Sequence, residues 1–155
     1  LTAGEAFGPV SLVCAALDVS ALREVAPGDQ SGHGEWLVGE DRLLNSCALT
    51  PLFAGDDELL VTVRLMADAS TVADEVEPLP EGLGSLTDVS TGDYRGTVHA
   101  ESDFPKDDGT YVLRITLWDE NMIVEVALSV TADEEERVTR PLITTMASAF
   151  AGLRR

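Results

Sequence analysis

Residues 111–130 read YVLRITLWDENMIVEVALSV, and this stretch constrains the fold more than any other. Tyr111, Leu113, Ile115 and Leu117 recur at a spacing of two. Met122, Val124, Val126, Leu128 and Val130 do the same after a polar break at Asp119-Glu120-Asn121. Period-two alternation in β-branched and aromatic residues marks half-buried strands. Two such runs around a short polar break predict an antiparallel hairpin at the centre of a sheet. The hairpin carries no catalytic pattern.

The surrounding chain reads as one α+β domain. Residues 1–10, rich in Gly and Ala, read as a tail or linker leading into a domain over 11–155. At 155 residues such a domain can bury a sizeable core. Asp18 or Ser20 can cap a short helix running through about Val25, stopped by Pro27-Gly28. Residues 27–34 read as a loop, Trp36-Leu37-Val38 as a brief strand, and Leu43–Leu49, containing Cys47, as another. Leu59, Val61, Val63 and Leu65 define a strand over residues 58–67. Residues 69–93 suggest one or two helical turns near Val72 and then loop chemistry. Strand returns at Tyr94–Glu101, and residues 104–109 form a tight turn into the hairpin.

Thr131 and Glu134 stand at capping-box spacing ahead of a final helix. Pro141 predicts a kink or a fresh start there. Leu142, Met146, Phe150 and Leu153 then form a helical stripe that should lie across the sheet. The expectation is a curved antiparallel sheet of about five to six strands. A C-terminal amphipathic helix and a short N-terminal helix pack on one of its faces.

Charge excludes several functions. Ten basic against 28 acidic residues leave a net charge of −18, with Lys106 the single lysine. Such a chain repels nucleic acid and anionic lipid headgroups, both of which require phosphate neutralisation. The excess acid fits a self-repelling surface, a cation or basic partner, or a high-salt environment. No apolar run is long enough to cross a membrane as a helix. Because the chain starts at Leu1 rather than Met, it reads as a processed or trimmed piece whose targeting segment is missing.

The two cysteines, Cys14 and Cys47, point to one disulfide and an oxidising compartment. Two buried thiols or a zinc site are the alternatives, and zinc would need two further ligands. A bridge would close about 33 residues, worth roughly 3–4 kcal/mol on the chain-entropy view.

Cys14-Ala15-Ala16-Leu17, Ser20-Ala21-Leu22, Ser46-Cys47-Ala48-Leu49 and Gly82-Leu83-Gly84 occur in that order, followed by the late hairpin and the closing helix. Over about residues 10–153 this order resembles small lipoproteins of the actinobacterial cell envelope, families largely of unknown function. The resemblance implies an exported α+β domain, held at the membrane periphery through a lipid-bearing Cys upstream of Leu1.

No nucleophile elbow, zinc-protease, phosphate-loop or dinucleotide fingerprint is present, and no cofactor or metal is expected. His33, between glycines, reads as a solvated loop residue. His99 and Glu101 share a strand face and form half of a catalytic constellation without a nucleophile. Asp103, Asp107 and Asp108 around Gly109 read as an acidic turn, since their spacing departs from a calcium loop. Trp36, Trp118, Leu83 and His99 are the candidate ligand or partner contacts.

The reading is an exported or surface-anchored, non-enzymatic binding domain. Its ligand would be a protein partner or an apolar envelope molecule held between sheet and helix. The alternatives are an extracellular sensor or accessory domain of a membrane protein, and a hydrolase using His99 and Glu101.

Overall fold

A computed structural model describes residues 6–53, 56–76 and 84–155. Its centre is the expected hairpin. β7 (Tyr111–Asp119) and β8 (Met122–Val130) pair antiparallel from Tyr111↔Val130 to Asp119↔Met122. Glu120 closes the turn at φ 46°, a left-handed conformation unusual for a residue with a side chain.

Six further strands complete an open antiparallel sheet. These are β1 (Gln30–His33), β2 (Leu37–Val38), β3 (Arg42–Leu49), β4 (Leu59–Met66), β5 (Ser85–Asp88) and β6 (Arg95–Ala100). The order is β1-β3-β4-β8-β7-β6-β5, with β2 beside β1 on the outer edge of β3. The sheet therefore exceeds the expected five to six strands. The extra two, β1 and β5, are edge strands in regions expected to be loop. All four residues of each are exposed, so neither shows alternation.

One face is the core. Val61, Val63, Leu65, Leu113, Ile115, Leu117, Met122 and Val124 are fully buried there. Alternation of in and out positions along β4, β7 and β8 places them together. The long helix α4 (Ala132–Leu153) covers this face, burying Val138, Leu142, Met146, Ala149, Phe150 and Leu153. Its start is the expected capping box: Glu134 N donates to Thr131 Oγ1 at 3.3 Å, and Thr131 N to Glu134 Oε1 at 2.9 Å. Asp133, Glu134 and Glu135 occupy its first turn, where the macrodipole favours negative charge. Pro141 does not divide the helix, which continues through it. The apolar stripe before and after the proline is seated on the sheet, and that packing offsets the one backbone bond it removes.

The short N-terminal helix resolves into two single turns, α1 (Val13–Ala16) and α2 (Ser20–Arg23). The N-cap of the second is Val19, with no side-chain cap, rather than Asp18 or Ser20; Asp18 Oδ1 accepts from Ser20 N at 3.0 Å just ahead of it. Cys14 lies inside α1 and is disulfide-bonded to Cys47 of β3, which ties the helix to the sheet. A disulfide is the mark of an oxidising environment. Asn45, nearly inaccessible on β3, reinforces the same junction. Its Oδ1 accepts from Val13 N at 2.9 Å, and its Nδ2 donates to Gly34 O at 2.8 Å.

The N-terminal segment differs from its expectation as a tail. Phe7 is completely buried, lies edge-on to Phe150 at 5.6 Å between ring centroids, and forms a bridge with Arg154. Gly8 N donates to Leu153 O, and Arg155 N to Ala6 O, each at 3.0 Å. Residues 6–8 thus belong to the packed domain.

Candidate functional site: an interrupted ladder on the uncovered face

Among the described residues, no helix layer covers the second face of the sheet over most of its area. Successive cross-strand positions place Ser46, Thr62, Glu125, Thr116 and Thr97 in one row. A hydroxyl row with a carboxylate at its middle stays solvated, because a second apolar layer would strand those groups. Ser46 and Thr62 satisfy one another at 3.0 Å. A short segment covers one corner: a 3-10 turn (Ala69–Thr71) runs into α3 (Val72–Glu75). Val72 packs there on Met66 and Ile123, with Val76 and Trp118 at the margin. Glu75 anchors the segment by accepting from Arg64 Nη1 at 2.7 Å, while Arg64 Nη2 reaches Glu125 at 3.2 Å.

Between β4 and β8 the ladder stops early. It pairs Leu65↔Met122 through Thr62↔Glu125. Beyond that, among the described residues, Leu59–Val61 of β4 pair with β3 alone, and Val126–Val130 of β8 with β7 alone. The direction of the main chain in this gap follows from the bonds around it. Met66 N donates to Asn121 O at 2.7 Å, and Ala67 N to Asp41 O at 2.8 Å. Because bonding direction alternates along an antiparallel strand, even-numbered residues of β4 face β8 and odd-numbered ones face β3. The same alternation turns the odd-numbered residues of β8 toward β4. The peptide groups of Leu60, Ala127 and Ser129 therefore face the gap.

Two adjoining clefts occupy this region. One, of about 470 Å³, is lined by Asp56, Asp57, Glu58, Lys106, Arg114 and Ser129 among others. The second, of about 400 Å³, shares Glu58, Arg114 and Ala127 and adds Leu60, Thr62 and Glu125. Leu60 is half-exposed at 51%, a large apolar side chain at the mouth of a polar cleft. Lys106 Nζ donates to Ser129 Oγ at 3.1 Å. Asp56, Asp57 and Glu58 have no ion-pair partner among the described residues. Burial, with the nearby Glu134 and Asp57 carboxylates, raises the Asp56 carboxyl above the ordinary aspartate range.

The residues singled out from the sequence are placed differently. Trp36 is half-buried against the core, and its Nε1 donates to Ser11 O at 3.0 Å. Trp118 is packed at the α3 corner and lines a surface cleft with Tyr94 and Arg95. His99 is buried on this second face, between Leu86 of β5 and Arg114 of β7, and its Nδ1 has no hydrogen-bond partner among the described residues. Glu101 faces Arg114, at 4.0 Å, and no hydrogen bond joins it to His99 among the described residues. Leu83 lies outside the described residues, as does most of the Gly82-Leu83-Gly84 motif. In the sequence, Leu60, Ala127 and Ser129 alternate with the apolar stripes of their strands. Nothing in their pattern marks them, because the gap is a property of two strands together.

The junction of sheet and α4, expected as the seat of an apolar ligand, is filled with side chains: Leu113, Leu142, Met146, Ala149 and Leu153 have no exposed surface. No family model matches the chain, and no curated protein and no solved structure matches it.

Proposed function

We propose that the protein is a non-enzymatic binding domain of the cell exterior or cell envelope that engages a protein partner through the uncovered face of its sheet. The observation that carries this reading is the interrupted β4–β8 ladder. Backbone groups directed into an open cleft are a standing opportunity for another chain. The Cys14–Cys47 disulfide supports the compartment, as does the resemblance to envelope lipoproteins, which would place an anchor upstream of the residues in hand. Charge supports the partner class: at −18, nucleic acid and anionic lipid are repelled. The polar lining of the clefts suits a polypeptide better than an apolar small molecule.

The test is a photo-crosslinking amino acid placed at Leu60, with a second placement at Glu136 on the solvent side of α4 as reference. In the native envelope fraction, Leu60 should yield one discrete adduct that excess unlabelled protein competes away. Glu136 should yield none. Equal, non-competable labelling from both positions overturns the reading.

A further inference from the structure

The second face carries an apolar patch beneath the short segment that crosses its corner. Ile123 stands there between its cross-strand neighbours Arg64 and Trp118. Neither Ile123 nor Met66 has any exposed surface, and Val72 of α3 packs on both. We infer that residues 68–76 form a strap, latched by Glu75, that opens while the sheet stays folded and bares the Met66–Ile123 seat beside Trp118. The strap lies on the same face as the proposed partner contact, and it stands whether or not that contact exists.

Three observations converge. The first is how little ties the segment down. Ala67 N donates to Asp41 O at 2.8 Å, the last main-chain bond to the sheet. From there on, among the described residues, the segment bonds only itself through its main chain. Ser70 N donates to Asp68 Oδ1 at 2.8 Å, and Thr71 N to Asp68 O and Val76 N to Val72 O at 3.1 Å each. Val72 is its one buried residue, while Ala69, Ala73 and Asp74 are exposed. The equally short α1 is held by the disulfide and by Asn45. Segments with few buried contacts and no ladder bonds are the first to open.

The second is the latch. Among the described residues, every ion pair of the strap runs through Glu75. It accepts from Arg64 Nη1 at 2.7 Å and from Arg42 Nη1 and Nη2 at 3.5 Å. Charge-assisted bonds of this kind are the stronger ones. The third opposes closure. Arg64 Nε is buried with no hydrogen-bond partner among the described residues, a cost that water would relieve on opening.

Opening has a consequence for shape. A cleft of about 500 Å³ has Ala69, Val72 and Ala73 on one side and Tyr94, Arg95 and Trp118 on the other. Without the strap it loses a wall and widens onto the apolar seat.

The test is native-state thiol labelling. Both cysteines are disulfide-bonded and none is free, so Val72→Cys supplies a single reporter, and Val124→Cys on the core face a reference. Val72→Cys should label at least about a hundredfold faster, with a urea dependence well below that of global unfolding. Adding Glu75→Gln should speed labelling by about tenfold. Glu136→Gln, which removes the same charge from the exposed side of α4, should change it by less than about twofold. In the unsubstituted chain the Val76 amide should exchange at least about a hundredfold faster than that of Val124.

Labelling of Val72→Cys no faster than that of Val124→Cys, or with the urea dependence of global unfolding, shows that the segment moves only with the sheet and overturns the inference. Fast labelling beside a Val76 amide as slow as that of Val124 shows that Val72→Cys itself made the opening, and overturns it too. Equal responses to Glu75→Gln and Glu136→Gln overturn the assignment of Glu75 as latch.

Discussion

The two ends of the β4–β8 pairing are built in opposite ways. At one end the ladder runs into Asn121, a fully buried residue whose side chain bonds main-chain groups of Phe7 and Met66. Its Oδ1 accepts from Phe7 N at 3.0 Å, and its Nδ2 donates to Phe7 O at 3.0 Å and Met66 O at 3.2 Å. At the other end the ladder stops at Thr62↔Glu125, and the strands beyond it pair on their outer sides only. A buried polar group must be matched, whereas one facing a wet cleft can be left to water. The closed end therefore contributes stability. At the open end the outward positions face water, while Leu59, Val61, Val126 and Val130 still pack into the core.

The sharpest way to break this contrast is at the closed end. Asn121→Ala should destabilise the domain by about 4 kcal/mol, because it orphans buried main-chain groups of Phe7 and Met66; the urea midpoint measures it. Removing the disulfide as a Cys14→Ala and Cys47→Ala pair should cost about 3 kcal/mol, read the same way.

Titration probes a clamp near the open end. Tyr111, at the far end of the hairpin, donates from its hydroxyl to Glu135 Oε1 at 2.9 Å. Burial, that bond and the Glu135 charge push its pKa up to about 12. The folded value lies above the unfolded one of about 10, so the stabilisation is intact below pH 10. It is lost as pH rises toward 12, an effect of about 2 kcal/mol. Equilibrium unfolding across that window should show the loss, and Tyr111→Phe should abolish it.

Breaking the α4 capping box with Thr131→Ala should cost about 1 kcal/mol by the same urea measurement. The smallest effect belongs to the open end. Leu60→Thr should change stability by less than about 0.5 kcal/mol, and a loss comparable to that of Asn121→Ala would erase the contrast.

Much of the fold was legible where burial imposes a period. β4, β7 and β8 alternate because one face of each is core, and α4 carries its stripe and capping box in plain view. The two cysteines had only each other to pair with. The edge strands were not legible: QSGH and SLTD are exposed at every position, so burial writes no pattern on them. Phe7 was missed because a lone aromatic among Gly, Ala and Pro has no period to belong to. Its place depends on Asn121, which lies more than a hundred residues away and looked like a turn residue. The candidate site was the least legible part. Leu60 and Ala127 look like any outward strand positions, and only the register of β4 against β8 shows where the ladder ends.

The bridge between Phe7 and Arg154 brings the two ends of the described chain side by side. Tension applied through both ends at once would peel apart a pairing two or three residues long, held by Gly8 to Leu153 and Arg155 to Ala6. Phe7 would pass part of that load to Asn121 at the turn of the central hairpin, through two hydrogen bonds of 3.0 Å. A pull along the strands would instead run through the hairpin and its neighbours, shearing many bonds together. The domain would thus resist a pull between its described ends less than one that shears β7 and β8 along their length.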